Sequence, residues 1–285
     1  MKSPLPVCSG TKIHHRTGEW LPQSFADCLA ELDALKNNAN EEDALLLYRG
    51  HAHREWRLDS TFVRTVKAKL LDMASTEGFA EHLRQSGDLN AMLSSLFLLK
   101  FGSFSGPSPG LLAAEEEHGI DAWFELMKRF QQYPDEDMQL LKGTNFLDWS
   151  RSSDVALYFA NDRRESAGAL FVCDATATGK TLQIVPVAEI LAKVRKQFMT
   201  GQSNGSPLLF SPKQQIAYQR AKNQQAVYFA QMELRSDLLE LWRQQEQEMN
   251  GEIIVVKIVL PPGSQQECTA YLEDRSIDAA FIYPN

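Results

Sequence analysis

The sequence predicts an α+β protein in which a helical N-terminal half packs on a mixed or antiparallel sheet. Apolar residues recur at helical spacing through most of the first half of the chain, whereas short apolar runs typical of buried strands dominate the second half. Strands and helices do not alternate as in repeated β-α-β units, so an all-parallel sheet is not expected. No internal repeat is visible.

Composition indicates one globular domain. The 285 residues are 44% hydrophobic and 9% aromatic, enough to bury a sizeable core. We expect an N-terminal arm over residues 1–23, where proline and glycine interrupt any periodicity, and a single domain over residues 24–285. No apolar run approaches the ~20 residues that span a bilayer, and the first ten residues lack the hydrophobic stretch of a secretory signal. Four scattered cysteines favour reduced thiols, so we expect a cytoplasmic protein without membrane contact.

Charge is distributed unevenly along the chain. The formal charge of −8 argues against indiscriminate binding to nucleic acid. However, no acidic residue occurs between Leu191 and Met232, a segment that contains six Lys and Arg residues. Residues 49–69 also carry six Arg or Lys against two acidic residues. Two solvated basic faces would produce this pattern, and so would a basic cleft for a phosphate-bearing ligand.

The first half of the chain is predicted to be mainly helical. Ser24 and Asp27 form a capping box ahead of apolar residues at helical spacing. A short buried strand is expected over residues 44–48, and helices from about residue 63 to residue 101. Residues 102–110 are rich in Gly, Pro and Ser and predict a loop. Another helix is expected to run through residues 123–130 and to end before Pro134.

The second half alternates less regularly and contains most of the strands. Short helices are predicted over residues 153–160, from Pro186 onward, over 238–249 and over 265–274. Strands are predicted over residues 169–173, 182–185, 227–230 and 252–260. Residues 200–212 are expected to form a loop, and a last apolar stretch covers residues 279–283.

Several common catalytic signatures are missing from the sequence. There is no glycine-rich dinucleotide fingerprint, and Gly179-Lys180-Thr181 lacks the first glycine of a phosphate-binding loop. There is also no Gly-x-Ser-x-Gly elbow and no His-Glu-x-x-His helix. His51, His53 and Glu55 alternate as metal ligands on a strand would, but no further ligand cluster accompanies them. No metal site is therefore expected.

Three segments carry residues suited to binding and chemistry. The first is Tyr48-Arg49-Gly50 at a strand end, where the arginine offers a fork of donors to phosphate or ribose and the glycine lets a ligand approach the backbone. The second, residues 143–160, is a hydroxyl-rich turn that feeds a short helix. The third, residues 220–229, places Gln224 and Gln225 just before a strand.

Each of these residues also has a purely structural interpretation. Arg49 would then cap a carboxylate such as Asp148, because a buried arginine is normally paired. Asp148 would orient its neighbours rather than act as a base. Apolar helical spacing would place Tyr158 in the core together with Trp149 and Phe159. Gln225 would only satisfy backbone groups at the end of a strand.

Together the segments resemble the FRG family, which is named for a Phe/Tyr-Arg-Gly motif. Tyr48-Arg49-Gly50 is followed by Trp56 and Leu58, then by Phe62 and Arg64, as in that family. Thr144, the run Leu147-Asp148-Trp149-Ser150 and the helix from Ala156 to Ala160 are similar to the family's central motif. Arg220, Gln224, Ala226 and Tyr228 match a later motif loosely, and the resemblance covers residues 24–285. The chain departs from the family at Asn145, where arginine is usual, and at His51, where glutamine is expected.

The order of these motifs is also similar to that of ADP-ribosyltransferases. The resemblance implies a split sheet and NAD as substrate. It assigns catalytic roles to Arg49, Tyr158 and Gln225, and binding roles to Tyr48, Arg49, Gly50, Thr144, Asp148 and Ser150. Breaking the nicotinamide–ribose bond develops oxocarbenium character, which requires positioned diphosphate, ribose and nucleophile. The literal Gln231-Met232-Glu233 resembles the Gln-x-Glu of arginine-modifying members, but it falls late in its strand.

Partners follow from the same resemblance and from the basic segment. A positive rim beside the third motif favours RNA or another nucleic acid as the acceptor of ADP-ribose. By family analogy the protein is expected to be a bacterial toxin or phage-defence effector held inactive by a cognate antitoxin protein. The alternative is a non-catalytic nucleotide-binding sensor or interaction module that uses the same cleft, which the missing catalytic glutamate favours.

Overall fold

The computed structural model describes residues 8–73, 120–132, 142–200, 206–233, 235–249 and 252–284. Its helices are α1 (Phe25–Glu41), α2 (Thr61–Met73), α3 (Ile120–Gln132), α4 (Ser153–Asn161), α5 (Val187–Thr200), α6 (Gln219–Asn223), α7 (Leu238–Glu248), α8 (Gln265–Asp274) and α9 (Ala279–Ile282), with a 3-10 turn at Lys213–Ala217. Its strands are β1 (Thr11–Ile13), β2 (Trp20–Pro22), β3 (Leu46–His51), β4 (Phe146–Ser150), β5 (Gly168–Asp174), β6 (Gln183–Val185), β7 (Leu208–Pro212), β8 (Ala226–Ala230) and β9 (Val255–Leu260). No described helix has the length and apolar character needed to cross a membrane.

The nine strands form one mixed sheet, which confirms the predicted α+β class. The strand order is β1-β2-β9-β5-β3-β4-β8-β7-β6. The pairs β2–β9 and β6–β7 are parallel, and the other neighbours are antiparallel. Strand β3 pairs with β5 at six positions and β4 pairs with β8 at five, yet β3 and β4 pair only where Tyr48 lies opposite Ser150. The sheet is therefore nearly divided between β3 and β4.

Two core clusters cover one face of the sheet and a third covers the other. Side chains of β4 reach both faces of the sheet, since Phe146 belongs to the first cluster while Leu147 and Trp149 belong to the third. The first cluster packs α2, α3 and α5 on β4, β7 and β8. The second packs α1, α4 and α8 on β3, β5 and β9. The third cluster buries the opposite face under α7. The gap between the first two clusters coincides with the β3–β4 junction.

Local signals predicted most element positions correctly. The capping box at Ser24 and Asp27 is present, and α4, β5, α7, β9 and α8 lie where the sequence places them. Within the predicted arm, β1 and β2 join the sheet, because Trp20 pairs with Ile258 and is buried. The predicted loop over 102–110 and the predicted helices beyond residue 73 lie outside the described residues.

Two predictions of loop or turn were wrong. Residues 146–150 form strand β4 instead of a turn, since the side chains of this hydroxyl-containing segment alternate between two buried faces. Residues 208–212 form strand β7 instead of a loop, although the strand ends in Pro212. That proline is tolerated because it pairs only with the edge strand β6.

Candidate functional site

A cleft of about 770 Å³ opens where β3 and β4 diverge. Residues from all three predicted segments line it, among them Arg49 on β3, Asp148 on β4 and Gln224 before β8. The loop after β3, the C-terminal half of α3 and residues of α4 and α6 complete the walls. A site at a break in a sheet exposes backbone and side-chain donors that regular pairing would otherwise consume.

Arg49 lies at the base of this cleft with two of its nitrogens engaged by the protein. Its Nε donates to His51 Nε2 at 3.0 Å, and its Nη1 donates to the backbone carbonyl of Asp148. That carbonyl belongs to the part of β4 that has no pairing partner on β3. Burial lowers the pKa of Arg49, and the Asp148 carboxylate partly offsets this effect. The side chain stays ionised, because guanidinium does not deprotonate in proteins.

His51 accepts the Arg49 hydrogen bond and is therefore neutral. The residue is buried, at 4% exposure, and its ring packs edge-on against Phe171 with a centroid distance of 5.1 Å. Burial, followed by the charge of Arg49, lowers the pKa of His51 well below its ordinary value. A neutral imidazole that accepts at Nε2 must carry its proton on Nδ1. His51 thus holds Arg49 in one orientation.

Asp148 places a carboxylate near Arg49. Gln131 Nε2 of α3 donates to its two carboxylate oxygens at 3.4 and 3.3 Å, and also to the carbonyl of Phe146. The carboxylate keeps contact with solvent inside the cleft, but protein surrounds it. Burial raises the pKa of Asp148 above its ordinary value, more than the charge of Arg49 lowers it. A carboxylate in such a setting attracts a cationic partner or a proton.

The cleft is positively charged although the chain is acidic. The described residues that line it include five cationic side chains, Arg49, Arg64, Lys128, Arg163 and Arg220, against two carboxylates, Asp148 and Asp162. The chain as a whole carries a formal charge of −8. Clefts with low-dielectric walls focus such a local field, so the site favours an anionic ligand.

Aromatic rings line the same cleft. Tyr48 and Tyr228 are buried in its walls, and burial raises the pKa of Tyr48 to about 12 and also raises the pKa of Tyr228. Trp56, Phe159 and Tyr218 keep part of their surface exposed. Because their pKa values are raised, the hydroxyls of Tyr48 and Tyr228 stay protonated at neutral pH. Flat apolar surfaces beside cationic groups suit a ligand that has both rings and phosphates.

Gly50 serves the packing of helix α4. A Cβ at this position would lie 1.8 Å from the carbonyl oxygen of Ala156 and 2.5 Å from the nitrogen of Ala160. The absent side chain lets α4 lie directly on β3, and the N-terminal half of α4 thereby reaches the cleft. The glycine predicted to admit a ligand thus admits a helix, while it still lines the cleft.

The hydroxyls of Ser150 and Thr144 are committed to local structure. Ser150 lines the cleft, but its Oγ donates to the carbonyl of Gln224 at 2.7 Å and accepts from the Ser152 amide at 2.9 Å. Thr144 is fully buried outside the cleft lining, and its Oγ1 donates to Gln131 Oε1 at 2.8 Å. Ser150 therefore ties β4 to the turn before β8, and Thr144 orients the glutamine that contacts Asp148.

The structure separates the two other predicted catalytic residues from the cleft lining. Gln225 is exposed, with φ of +46°, and its carbonyl accepts from the Arg151 amide at 3.1 Å. Its neighbour Gln224 lines the cleft, and Nε2 of that residue donates to the Ile282 carbonyl at 3.0 Å. Tyr158 lines a separate pocket of about 340 Å³ between α4 and α8.

Gln231 is consumed by a buried network away from the cleft. Its side chain is fully buried, donates to Asp59 and the Ser236 carbonyl, and accepts from the Ser60 amide at 2.9 Å. Glu233 forms a two-pronged ion pair with Arg235. The Gln-x-Glu sequence therefore anchors the end of β8 and contributes no side chain to the cleft lining.

Several cleft residues were not predicted from the sequence. Gln131 and Lys128 lie on α3, where apolar periodicity indicated only a core helix, and Tyr218 lies at the start of α6. Lys128 Nζ lies 3.9 Å from the centre of the Tyr218 ring. The third predicted segment and the absence of acidic residues over 191–232 pointed to the α6 region, but neither singled out Tyr218. In the described part of the chain, no three His, Cys, Asp or Glu side chains are placed to hold a metal ion.

No protein-family model, curated protein sequence or solved structure matches the chain. Function must therefore be inferred from the residues of the cleft and their geometry. Fold and site together define an α+β protein with a cationic, aromatic cleft at a nearly divided sheet. At the base of this cleft, Arg49 and Asp148 lie close enough for the charge of each residue to affect the pKa of the other.

Proposed function

We propose that this protein binds NAD in the cleft and transfers ADP-ribose from it to a macromolecule. The observation that carries the proposal is the placement of Arg49 and Asp148 together at the base of a positively charged, aromatic cleft. The divergence of β3 and β4 supports a split sheet of the ADP-ribosyltransferase type. The resemblance of the three motifs to the FRG family supports the same assignment.

The cleft offers a partner for each part of NAD. Arg49 and Arg220 supply guanidinium groups for the diphosphate, which carries the negative charge of the molecule. Phe159 and Tyr218, which are partly exposed in the cleft, supply ring surfaces for the nicotinamide and adenine. A volume of about 770 Å³ lies in the range of pockets that enclose ligands of this size.

Asp148 takes the electrostatic role in the reaction. As the bond between nicotinamide nitrogen and ribose C1′ breaks, the nicotinamide leaves as a neutral ring and positive charge develops on the ribose. A carboxylate already surrounded by protein stabilises that charge more strongly than water does, because it needs no reorganisation. Its raised pKa reflects the same burial. Gln131 Nε2 holds the Asp148 carboxylate in place, and the charge of Arg49 favours its ionised form.

The test is transfer of label from NAD by the purified full chain. Labelled NAD is incubated with total cellular RNA, DNA and protein, and both released nicotinamide and labelled acceptor are measured. Arg49→Ala and Asp148→Asn are expected to abolish release, while the exposed controls Arg16→Ala and Asp43→Asn retain it. Intact NAD with the wild-type chain in every fraction, together with no measurable NAD affinity, would overturn the proposal.

A non-catalytic nucleotide sensor is the second candidate. It is favoured by the position of Gln225 and Tyr158, neither of which lines the cleft. A sensor would bind NAD with an affinity that depends on Arg49 but would release no nicotinamide. By family analogy, either activity would belong to a cytoplasmic toxin or phage-defence effector controlled by an antitoxin, and toxicity that Arg49→Ala relieves would support that setting.

A further inference from the structure

Trp56 leaves half of a large aromatic surface exposed at the mouth of the cleft. Its exposed fraction is 51%, whereas Trp20, Trp149 and Trp242 are at most 4% exposed. Trp56 lies in the loop between β3 and α2 and lines the same cleft as Arg49. Burial of such a side chain would stabilise the fold by an amount on the order of 2–3 kcal/mol. Exposure of the Trp56 ring therefore costs stability.

The loop holds the ring in a defined position. His53 packs against Trp56 with a centroid distance of 4.6 Å, and the buried His51 lies at 5.9 Å. The Trp56 amide donates to the carbonyl of His53 at 3.2 Å. Arg54 anchors the loop through its amide, which donates to the carbonyl of Ala167 at 2.9 Å, and through an ion pair with Glu19. The exposed ring is therefore a fixed platform.

Two guanidinium groups of the cleft lack an anionic partner among the described residues. Neither Arg64 nor Arg163 forms an ion pair in that part of the chain. The Arg64 guanidinium donates to the Thr61 hydroxyl at 3.5 Å, and both arginines line the cleft. Guanidinium groups that remain unpaired in an otherwise acidic chain are suited to phosphates.

We propose that single-stranded nucleic acid is the acceptor, with one base stacked on Trp56 and the backbone phosphates held by Arg64 and Arg163. This inference rests on the proposed function for the chemistry, but the binding it describes does not require NAD. A fixed exposed ring beside unpaired cations is the arrangement by which proteins hold single strands, because every base has a flat face and every nucleotide a charge. A double helix does not expose a base face to the ring.

The transfer step balances with this acceptor. The bond from nicotinamide nitrogen to ribose C1′ breaks, and its electron pair leaves with nicotinamide. A nucleophilic oxygen or nitrogen of the nucleotide forms the new bond to C1′, and its proton passes to Asp148 or to water. The products are nicotinamide, one proton and the ADP-ribosylated strand, and no oxidant or reductant is needed.

Binding of labelled oligonucleotides to the full chain without NAD tests the site. Fluorescence anisotropy is recorded for short single-stranded RNA, its DNA counterpart and the corresponding duplex. Trp56→Ala is expected to weaken single-strand binding about ten-fold, and Trp56→Phe to restore most of it, since stacking contributes on the order of 1–3 kcal/mol per base. Ile184→Ala removes a side chain that is 60% exposed on β6 and serves as the control. Comparison of RNA with DNA shows whether the 2′-hydroxyl contributes.

The outcomes separate this proposal from the function it deepens. Equal affinity of Trp56→Ala and wild type overturns it, as does equal or tighter binding of the duplex. Transfer of label from NAD to protein but not to nucleic acid also overturns it, while the proposed NAD chemistry stands. Single-strand binding that depends on Trp56 supports it even if NAD is not consumed. Thermal unfolding of each variant checks that the exposed substitution leaves the fold intact.

Discussion

Arg49 donates its Nε hydrogen to Nε2 of His51 at 3.0 Å, two residues along the same strand. Side chains two residues apart on a strand point to the same face, so the imidazole stands directly beside the guanidinium. With Nη1 bound to the Asp148 carbonyl, Nη2 is left without a protein partner in the described residues. His51 therefore positions the Arg49 guanidinium so that Nη2 is the nitrogen available to a ligand.

Substitution of His51 is expected to lower the affinity for NAD only when the new side chain cannot accept the hydrogen bond from Arg49 Nε. His51→Phe keeps a ring against Phe171 but leaves the Arg49 Nε without an acceptor, so affinity for NAD is expected to fall about ten-fold. His51→Gln retains an acceptor oxygen and is expected to stay near the wild type. Calorimetric titration with NAD measures both. Equal affinities in the two variants would show that the imidazole is only a packing group.

His51 is also expected to make folding stability depend on pH. Its folded-state pKa lies well below the ordinary value, because of burial and then the charge of Arg49. Below about pH 6.5 the unfolded chain takes up this proton while the folded chain does not, so stability falls as the pH is lowered. Urea unfolding at about pH 5.5 and about pH 7.5 should show a smaller difference for His51→Gln than for the wild type. Matching pH profiles would contradict the prediction.

The sequence predicted the elements far better than it predicted how they surround the cleft. Capping residues and apolar spacing are local properties, so the starts of α1 and α7 could be read directly. The β3–β4 junction depends on pairing between residues about a hundred positions apart, which no local pattern reports. Gln131 shows the same limit, because only the packing of α3 brings it to Asp148. Conversely, Gln225 has a suitable sequence position, but a backbone turn with positive φ takes it away from the cleft lining.

Asp148→Asn is expected to stabilise the fold and to remove activity. Burial raises the pKa of this carboxyl more than Arg49 lowers it, so the folded state binds the proton more tightly than the unfolded state. Stability then falls as the pH rises from the ordinary pKa of aspartate through the raised pKa of the folded state. Asparagine, a neutral isostere, does not show this loss. Release of nicotinamide is expected to drop at least about a hundred-fold. Denaturant unfolding at about pH 7 and the NAD assay test both effects.

The exposed Asp43→Asn provides the matched control for that substitution. Asp43 lies outside the cleft at φ of +52°, a conformation that asparagine also tolerates. Neither stability nor nicotinamide release is expected to change. An Asp148→Asn protein that is less stable than this control would indicate that the ionised carboxylate holds the cleft together instead of straining it.

Gly50→Ala is expected to lower the free energy of unfolding by about 3 kcal/mol. The added Cβ would overlap the carbonyl oxygen of Ala156, a backbone atom of α4 that can move only with the helix. Gly179→Ala is the control, since nothing lies within 4 Å of the added atom there and only the φ of +68° opposes it. That control is expected to lose about 1 kcal/mol. Equal losses in urea unfolding would mean that α4 does not rest on Gly50.

Glu19→Gln is expected to destabilise the protein by about 3 kcal/mol near neutral pH, because Lys257 and Arg54 then lose a buried partner. Each of them places a nitrogen 2.6 Å from a Glu19 carboxylate oxygen, and the Glu19 side chain is 8% exposed. Burial alone would raise the pKa of Glu19, but hydrogen bonds from Arg54 and Lys257 outweigh it and lower the pKa to about 2. The contribution is therefore present above the unfolded pKa of about 4.3 and disappears as the pH falls toward 2. Urea unfolding from about pH 7 down to about pH 3 should show the wild type converging on the variant, and a constant gap across that range would exclude the ionised carboxylate as its cause.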